Sequence, residues 1–400
     1  MRLPVYMDYH ATTPVDPRVL EAMLPYFTEN FGNPASRQHQ YGWVAEEAVE
    51  SARTAIARLI GAESLEIIFT SGATESNNLA LKGVAESSRQ KGNHLITVGT
   101  EHKSILDTCK KLEKNGYQIT ILPVEHQGMI SLDRLKDAIT PKTILVSVMT
   151  ANNEIGTIQD FNQIGRLCRE RGVLFHTDAS QAIGKIRLDA SSNCIDLMSF
   201  TGHKVYGPKG MGALFVRSSN PQVRLTSQME GGGHERGMRS GTLNVPGIVG
   251  LAKALEISFE SMEEEAGRLT NLRDKMFGML STRLDEIYLN GHPTKRLPNN
   301  LNVSFTHVED GALMMSMKDV AVSTGSACST ANPEPSHVLK ALQLPADRLH
   351  SAIRFGLGRF TTEEEVGYVV NRVVESVEKL RELSPSYRSR SVKRDAIPSN

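Results

Sequence analysis

The chain has 400 residues, more than one hydrophobic core usually organises, so two domains or one large and one small are expected. Lysine plus arginine and aspartate plus glutamate number 45 each, a balance with no long-range field to draw nucleic acid or an acidic membrane, and a nucleic-acid role is disfavoured. The segment MRLPVYMDYH lacks the basic and apolar regions of a signal peptide, and no apolar run reaches bilayer length, so the chain reads as soluble and cytoplasmic, with no membrane partner.

The first stretch, MDYHATTPVDP, makes a prolyl turn after two threonines and leads into an amphipathic run from Arg18 to Phe27. NPASR is a turn, and Trp43 to Ile60 predicts a long helix with Val44, Ala48, Ala52, Ile56 and Leu59 on one face. From Glu66 onward short β-rich runs (EIIFT, HLITV, QITIL, TILVSVM, VLFHTD) alternate with amphipathic stretches, one of them from Phe161 to Glu170. That alternation predicts an α/β fold with a mainly parallel sheet, whose ligands sit at the carboxyl ends of the strands.

After GALFV the pattern changes. GGGHERGMRSGT cannot be a regular element, and the Glu- and Arg-rich run from Val249 to Ile287 reads as one or two bridging helices. The domain boundary belongs there: a large domain over 14–257, a small α+β domain from 1–13 and 258–384, and an irregular tail over 385–400. The small domain is expected to hold the strands LNVSF and AIRFGL and a last helix from Glu363 to Leu383.

Several strand ends carry polar groups. In FTGHKVYGPKGMG, Lys204 lies between Thr201, His203 and a run of glycines. A lysine buried there loses hydration and its pKa falls, so the neutral amine can form a Schiff base with an aldehyde such as pyridoxal phosphate; a solvated loop lysine is the plainer alternative. FTSGATESNN is a strand, a glycine turn and a helix start, able to hold phosphate on its free amides and on the hydroxyls of Thr74 and Ser76, or simply an ordinary capped turn. Asp178 ends VLFHTD with Gln181 following; its carboxylate can keep a pyridine nitrogen protonated, or cap a helix. His102, just past HLITV, suits ring stacking and proton exchange, and Asn153 lies beyond another strand end. Arg354 in AIRF suits a two-pronged grip on a carboxylate or a structural ion pair.

The four cysteines are too scattered for a disulfide framework or a zinc ribbon. Cys109 and Cys168 fall on helical faces and are expected to be buried and inert, whereas Cys328 lies in STGSACSTANPEP, a loop with few side chains to pack. From Ser323 to Pro335 that loop is expected to be exposed and weakly held, with the Cys328 sulfur out of reach of the Lys204 amine. His234 and Glu235 precede Met238 where a zincin needs its second histidine, so no metal site is expected.

Taken in order, YMDYHATTP, FGNPASR, FTSGATESNN, EHKSILDTC, NNEIGT, HTDASQAIGK, MSFTGHKVYGPKG, GGGHERGMRSGT, STGSAC and IRFGLGRFTTEEE resemble the cysteine desulfurases that supply sulfur for iron-sulfur clusters. These belong to the class-V aminotransferase-like, fold-type I pyridoxal phosphate enzymes. The resemblance runs from about Val5 to Ser384. It implies a large domain built on a mainly parallel seven-stranded sheet plus a small α+β domain, pyridoxal 5'-phosphate as cofactor, and L-cysteine as substrate. It makes Lys204 the cofactor-bearing lysine, Asp178 the partner of the ring nitrogen, His102 the residue over the ring, and Gln181 and Asn153 its hydrogen-bond partners. Ala73, Thr74, Thr201 and His203 become the phosphate ligands, with Thr242 supplied by the second subunit of a homodimer. Cys328 becomes the persulfide-forming cysteine and Arg354 the substrate-carboxylate arginine, and an iron-sulfur scaffold or another sulfur acceptor is the implied partner.

Overall fold

The computed structural model describes residues 2–324, 335–385 and 387. Cys328 and most of the loop around it lie outside the described residues, as does the tail beyond 387. Among the described residues no helix is long and apolar enough to cross a membrane.

The central sheet has seven strands, in the order Ile67–Thr70, Gly212–Val216, Leu197–Thr201, Leu174–Asp178, Thr143–Ser147, His94–Val98 and Gln118–Leu122. Only Gly212–Val216 runs against the others, pairing antiparallel with both of its neighbours. The interior strands are buried, with only Leu174 half-buried among them, as unbroken apolar runs such as TILVS and GALFV require of a sheet covered on both faces, and the outer strand Ile67–Thr70 is buried too. The edge strand Gln118–Leu122 has more exposure. Because six strands share one direction, their carboxyl ends, with Thr70, Val98, Ser147, Asp178 and Thr201 among them, open on a single edge.

A second apolar core, running from Val5 and Met7 through Leu269 to Val377, packs the helices Met262–Arg283 and Glu363–Leu383 against a three-stranded antiparallel sheet. That sheet has Asn300–Phe305 between Ala352–Gly356 and Ile287–Leu289. The last helix starts on a reciprocal cap between Thr362 and Glu365. Val5–Tyr6 pairs with Val320–Ala321, which ties the N-terminal arm into this second layer.

Two local expectations need correction. The run from Arg18 to Phe27 is not one helix but two, Pro17–Met23 and Pro25–Thr28. Pro25 has no N–H to continue the ladder, and its ring restricts Leu24. The long helix is Gln40–Leu59, and its buried stripe is Ala45, Val49, Ala52 and Ile56, with Val44, Ala48 and Leu59 half-buried beside it. The helix is rolled by about one residue because Arg53 also turns inward, where Glu235 meets it at 2.7 Å.

Candidate active site

A cavity of about 840 Å³ lies at the carboxyl edge of the sheet, lined by His10, Gly72, Ala73, Thr74, His102, Asn153, Asp178, Gln181, Thr201, His203, Lys204 and Arg354 among others. Of the candidate cofactor and substrate residues singled out in the sequence, this brings together all but three; Ser76 is buried behind the cavity, its hydroxyl 2.7 Å from Thr70 Oγ1. Thr242 is exposed and does not line the cavity of its own chain, and Cys328 is outside the described residues.

At one end, Ala73 and Thr74 open the helix Ala73–Ser87, whose N-cap, Gly72, offers no side chain to its free amides. Gly72 has φ +147°, and a Cβ there would stand 3.5 Å from Thr201 Oγ1, so a larger residue would be strained and would fill the cradle. Opposite, the short helical turn Gly202–Lys204 follows its strand directly and aims His203 and Lys204 into the cavity. Burial, with the charges of Lys204, Lys209 and Lys185, pulls His203 down to about 4 and keeps it neutral.

Lys204 Nζ donates to the carbonyl oxygens of His10 at 2.5 Å and Ala11 at 2.6 Å. The N-terminal arm therefore forms the wall behind the lysine. Burial first, and then the Lys204 charge, lowers the neighbouring Lys185 to about 7.

Asp178 accepts from the backbone N–H of Ser180 at 2.9 Å and from the Asn77 side-chain amide at 2.7 Å. Asn77 also donates to Ser104 Oγ at 2.9 Å, and Ser104 Oγ lies 2.9 Å from His102 Nδ1. Since His102 Nδ1 accepts from the Ser104 backbone N–H at 3.1 Å, the ring proton of the neutral imidazole sits on Nε2. The ring is open to the cavity yet surrounded by protein elsewhere; burial lowers its pKa, and Asp178 partly opposes the shift. Burial and Asp178 together hold the adjacent Glu101 well above the usual carboxylate range.

Arg354 reaches across from the second sheet. It donates to the Asn153 carbonyl at 3.0 Å and to Asp8 Oδ1 at 2.7 Å. Its Nε–H is buried and unpartnered among the described residues. Ser180 Oγ, also on the cavity wall, is likewise unpartnered among them.

These features fit the group that the resemblance implies. An uncapped helix end beside a glycine cradle suits a phosphate. A carboxylate oriented by two donors suits a pyridine nitrogen, and a lysine whose amine donates to carbonyl oxygens and an arginine with an unused N–H suit an aldehyde and a carboxylate. Asp8, His10, Asn77 and Ser104 were not singled out in the sequence. Asn77 falls one helical turn after Ala73 and so on the same face, a signal the spacing did carry. Asp8 and His10 gave none, because their partners are remote in sequence.

Residues 5–369 match the family model described as aminotransferase class-V. The chain is 55% identical over 385 residues to "Cysteine desulfurase IscS" of Rickettsia conorii, covering 96% of this chain and 94% of that protein. It is 57% identical over 387 residues to the protein of the same name from Anaeromyxobacter sp. (strain K), covering 97% and 96%. Among solved structures, a NifS-like protein superposes with a TM-score of 0.88 at 38% identity over 94% of this chain and all of that one. A structure titled "SspA in complex with cysteine" superposes with a TM-score of 0.79 at 37% identity, covering 90% of this chain and 100% of that chain.

Proposed function

This chain belongs to the cysteine desulfurase branch of the class-V aminotransferases, and we propose that it converts L-cysteine and the Cys328 thiol into L-alanine and a persulfide on Cys328. The observation that carries this reading is the convergence of Lys204, Asp178, His102, an uncapped helix end and Arg354 on one cavity. Pyridoxal phosphate supplies, when bound, an aldehyde that joins an amine and a ring that takes up the electrons released at the α-carbon.

The chain's own residues then have distinct work. The amides of Ala73 and Thr74, with Thr201 and His203, hold the phosphate. Asp178 keeps the proton on the ring nitrogen, and Asn77 keeps Asp178 facing it. His102 lies over the ring, with its Nε2–H directed by the bond at Nδ1. Gln181 and Asn153 are further hydrogen-bond partners. Arg354 grips the substrate carboxylate through its two-pronged guanidinium. Lys204 Nζ would anchor the aldehyde and, once free of it, would be the base that takes the α-proton.

The same reading takes in a homodimer in which Thr242 serves the other subunit's phosphate. Large apolar side chains at Leu20, Leu24, Phe27, Phe31, Tyr41 and Trp43 are exposed within one N-terminal stretch, which supports a buried subunit contact. A cytoplasmic setting and transfer of the persulfide sulfur to an iron-sulfur scaffold or another thiol acceptor complete the proposal. Alanine and sulfide formed in equal amounts from L-cysteine plus a thiol reductant is the expected result. Failure of the purified, cofactor-loaded protein to form alanine would remove it.

A further inference from the structure

His10 is buried in the N-terminal arm, 1% exposed, and both nitrogens of its ring meet protein. Nδ1 lies 2.9 Å from Gln181 Oε1 and Nε2 lies 3.2 Å from the carbonyl oxygen of Asn299. A Cβ at Gly356 would come within 2.9 Å of Cδ2, so backbone closes that side. The carbonyl oxygen of His10 accepts from Gln181 Nε2 at 3.0 Å and from Lys204 Nζ at 2.5 Å. Gln181 is thus held twice by the same residue, once through the ring and once through the backbone.

Both ring nitrogens face oxygen acceptors, yet a neutral imidazole has one N–H. Burial and the positive charges of Arg354, Lys185 and Lys204 push His10 well below its ordinary pKa, against the Gln181 contact that favours protonation. A choice between tautomers follows. With the proton on Nδ1, the one unfavourable pair is Nε2 and Asn299 O at 3.2 Å. With the proton on Nε2, the unfavourable pair is Nδ1 and Gln181 Oε1 at 2.9 Å. Turning the Gln181 amide over only moves the conflict to its oxygen and the His10 carbonyl, 3.0 Å apart. The Nδ1–H form leaves the conflict at the longest distance.

We propose that His10 is a positioning residue: its Nδ1–H pins Gln181 Oε1, so that the Gln181 amide presents N–H and not oxygen to the cofactor. The amide nitrogen has two hydrogens, one spent on the His10 carbonyl and one left for the cavity that Gln181 lines. Gln181 Nε2 and Lys204 Nζ share the His10 carbonyl, so that N–H would serve a ring oxygen adjacent to the aldehyde that Lys204 would engage. A glutamine without this lock could offer either end, because its oxygen and nitrogen have nearly the same shape. This inference rests on the assignment of Gln181 as a cofactor partner.

The test is the pH midpoint of the bound cofactor's visible absorption band in the holoenzyme. A donor to an anionic oxygen competes with protons, so losing it moves the midpoint upward, by roughly half a unit to one unit for one neutral hydrogen bond. His10→Asn places an N–H where Nδ1 was, whereas His10→Gln mimics only the Nε2 half. His10→Asn is expected to titrate like wild type, while His10→Gln and Gln181→Leu shift together. Equal shifts in His10→Asn and His10→Gln, cofactor loss in both, or no shift in either while Gln181→Leu moves, would overturn the role of His10 and leave Gln181 assigned. An unmoved midpoint in Gln181→Leu would overturn the Gln181 assignment itself, and this inference with it.

Discussion

Asn77 donates to Asp178 Oδ2 at 2.7 Å and, through its second N–H, to Ser104 Oγ, which lies against His102 Nδ1. One hydrogen-bonded chain therefore sets both the carboxylate and the imidazole proposed to flank the cofactor ring. Replacing Asn77 with Leu removes both donors at little change in volume. A bond to a charged group contributes about 1.5–3 kcal/mol, so kcat should fall roughly 10- to 100-fold while the cofactor stays bound. Steady-state alanine formation and the cofactor-to-protein ratio together check this. Full activity in Asn77→Leu would detach Asp178 orientation from catalysis.

Asp178→Asn should keep the cofactor and lose most activity, because a neutral amide cannot hold the ring nitrogen protonated. Unchanged turnover would take Asp178 out of the site.

Borohydride treatment of the yellow holoenzyme should fix the cofactor on Lys204, and peptide mapping reads the position. The lysine to compare is Lys185, which lies behind the cavity with its amine on the Gln181 carbonyl and whose pKa burial has brought to about 7. Label at Lys185 in the wild type would reassign the anchor.

Arg354→Lys should raise KM for cysteine by roughly 10-fold or more with a smaller effect on kcat, since an ammonium cannot reproduce a two-pronged grip. Asp8 takes one N–H of Nη2 at 2.7 Å, so the second Nη2–H and the unpartnered Nε–H are the two prongs of Arg354 left for substrate. An unaltered KM would return Arg354 to a purely structural pairing with Asp8.

Acid stability should depend on His176, which is buried and bonded at both nitrogens to Ser147 and Ser199 hydroxyls. Burial lowers it from 6.5 to about 4, so below pH 6.5 the unfolded chain binds a proton that the folded one refuses. Its contribution is intact above 6.5, declines as pH falls, and is fully lost near 4, a span worth about 3 kcal/mol. Urea denaturation at several pH values should show a shallower acid slope in His176→Asn. An identical slope would locate the proton uptake elsewhere.

Alkylation should strike Cys328 well before Cys109 or Cys168. Both of those are buried, and burial pushes each thiol up to about 12, away from the reactive thiolate. Mass spectrometry of partly labelled protein reads the order. Cys328→Ser should bind cysteine yet release no sulfide.

The order of strands and helices was legible because it is written in local periodicity. Continuous apolar runs mark the buried strands, and Phe161–Glu170 and Glu363–Leu383 begin and end where the pattern says. Polar residues at the ends of parallel strands announced Asp178, His102 and Lys204, since a parallel sheet must open its ligand site there. The roll of the Gln40–Leu59 helix was not legible, because an ion pair to Glu235 decided it. Nor was the other half of the site. Asp8 meets Arg354 across 346 positions, and His10 meets Gln181 across 171. Local pattern has no memory of such separations; only the docking of the N-terminal arm and the second sheet against the first brings those charges and ring nitrogens into contact.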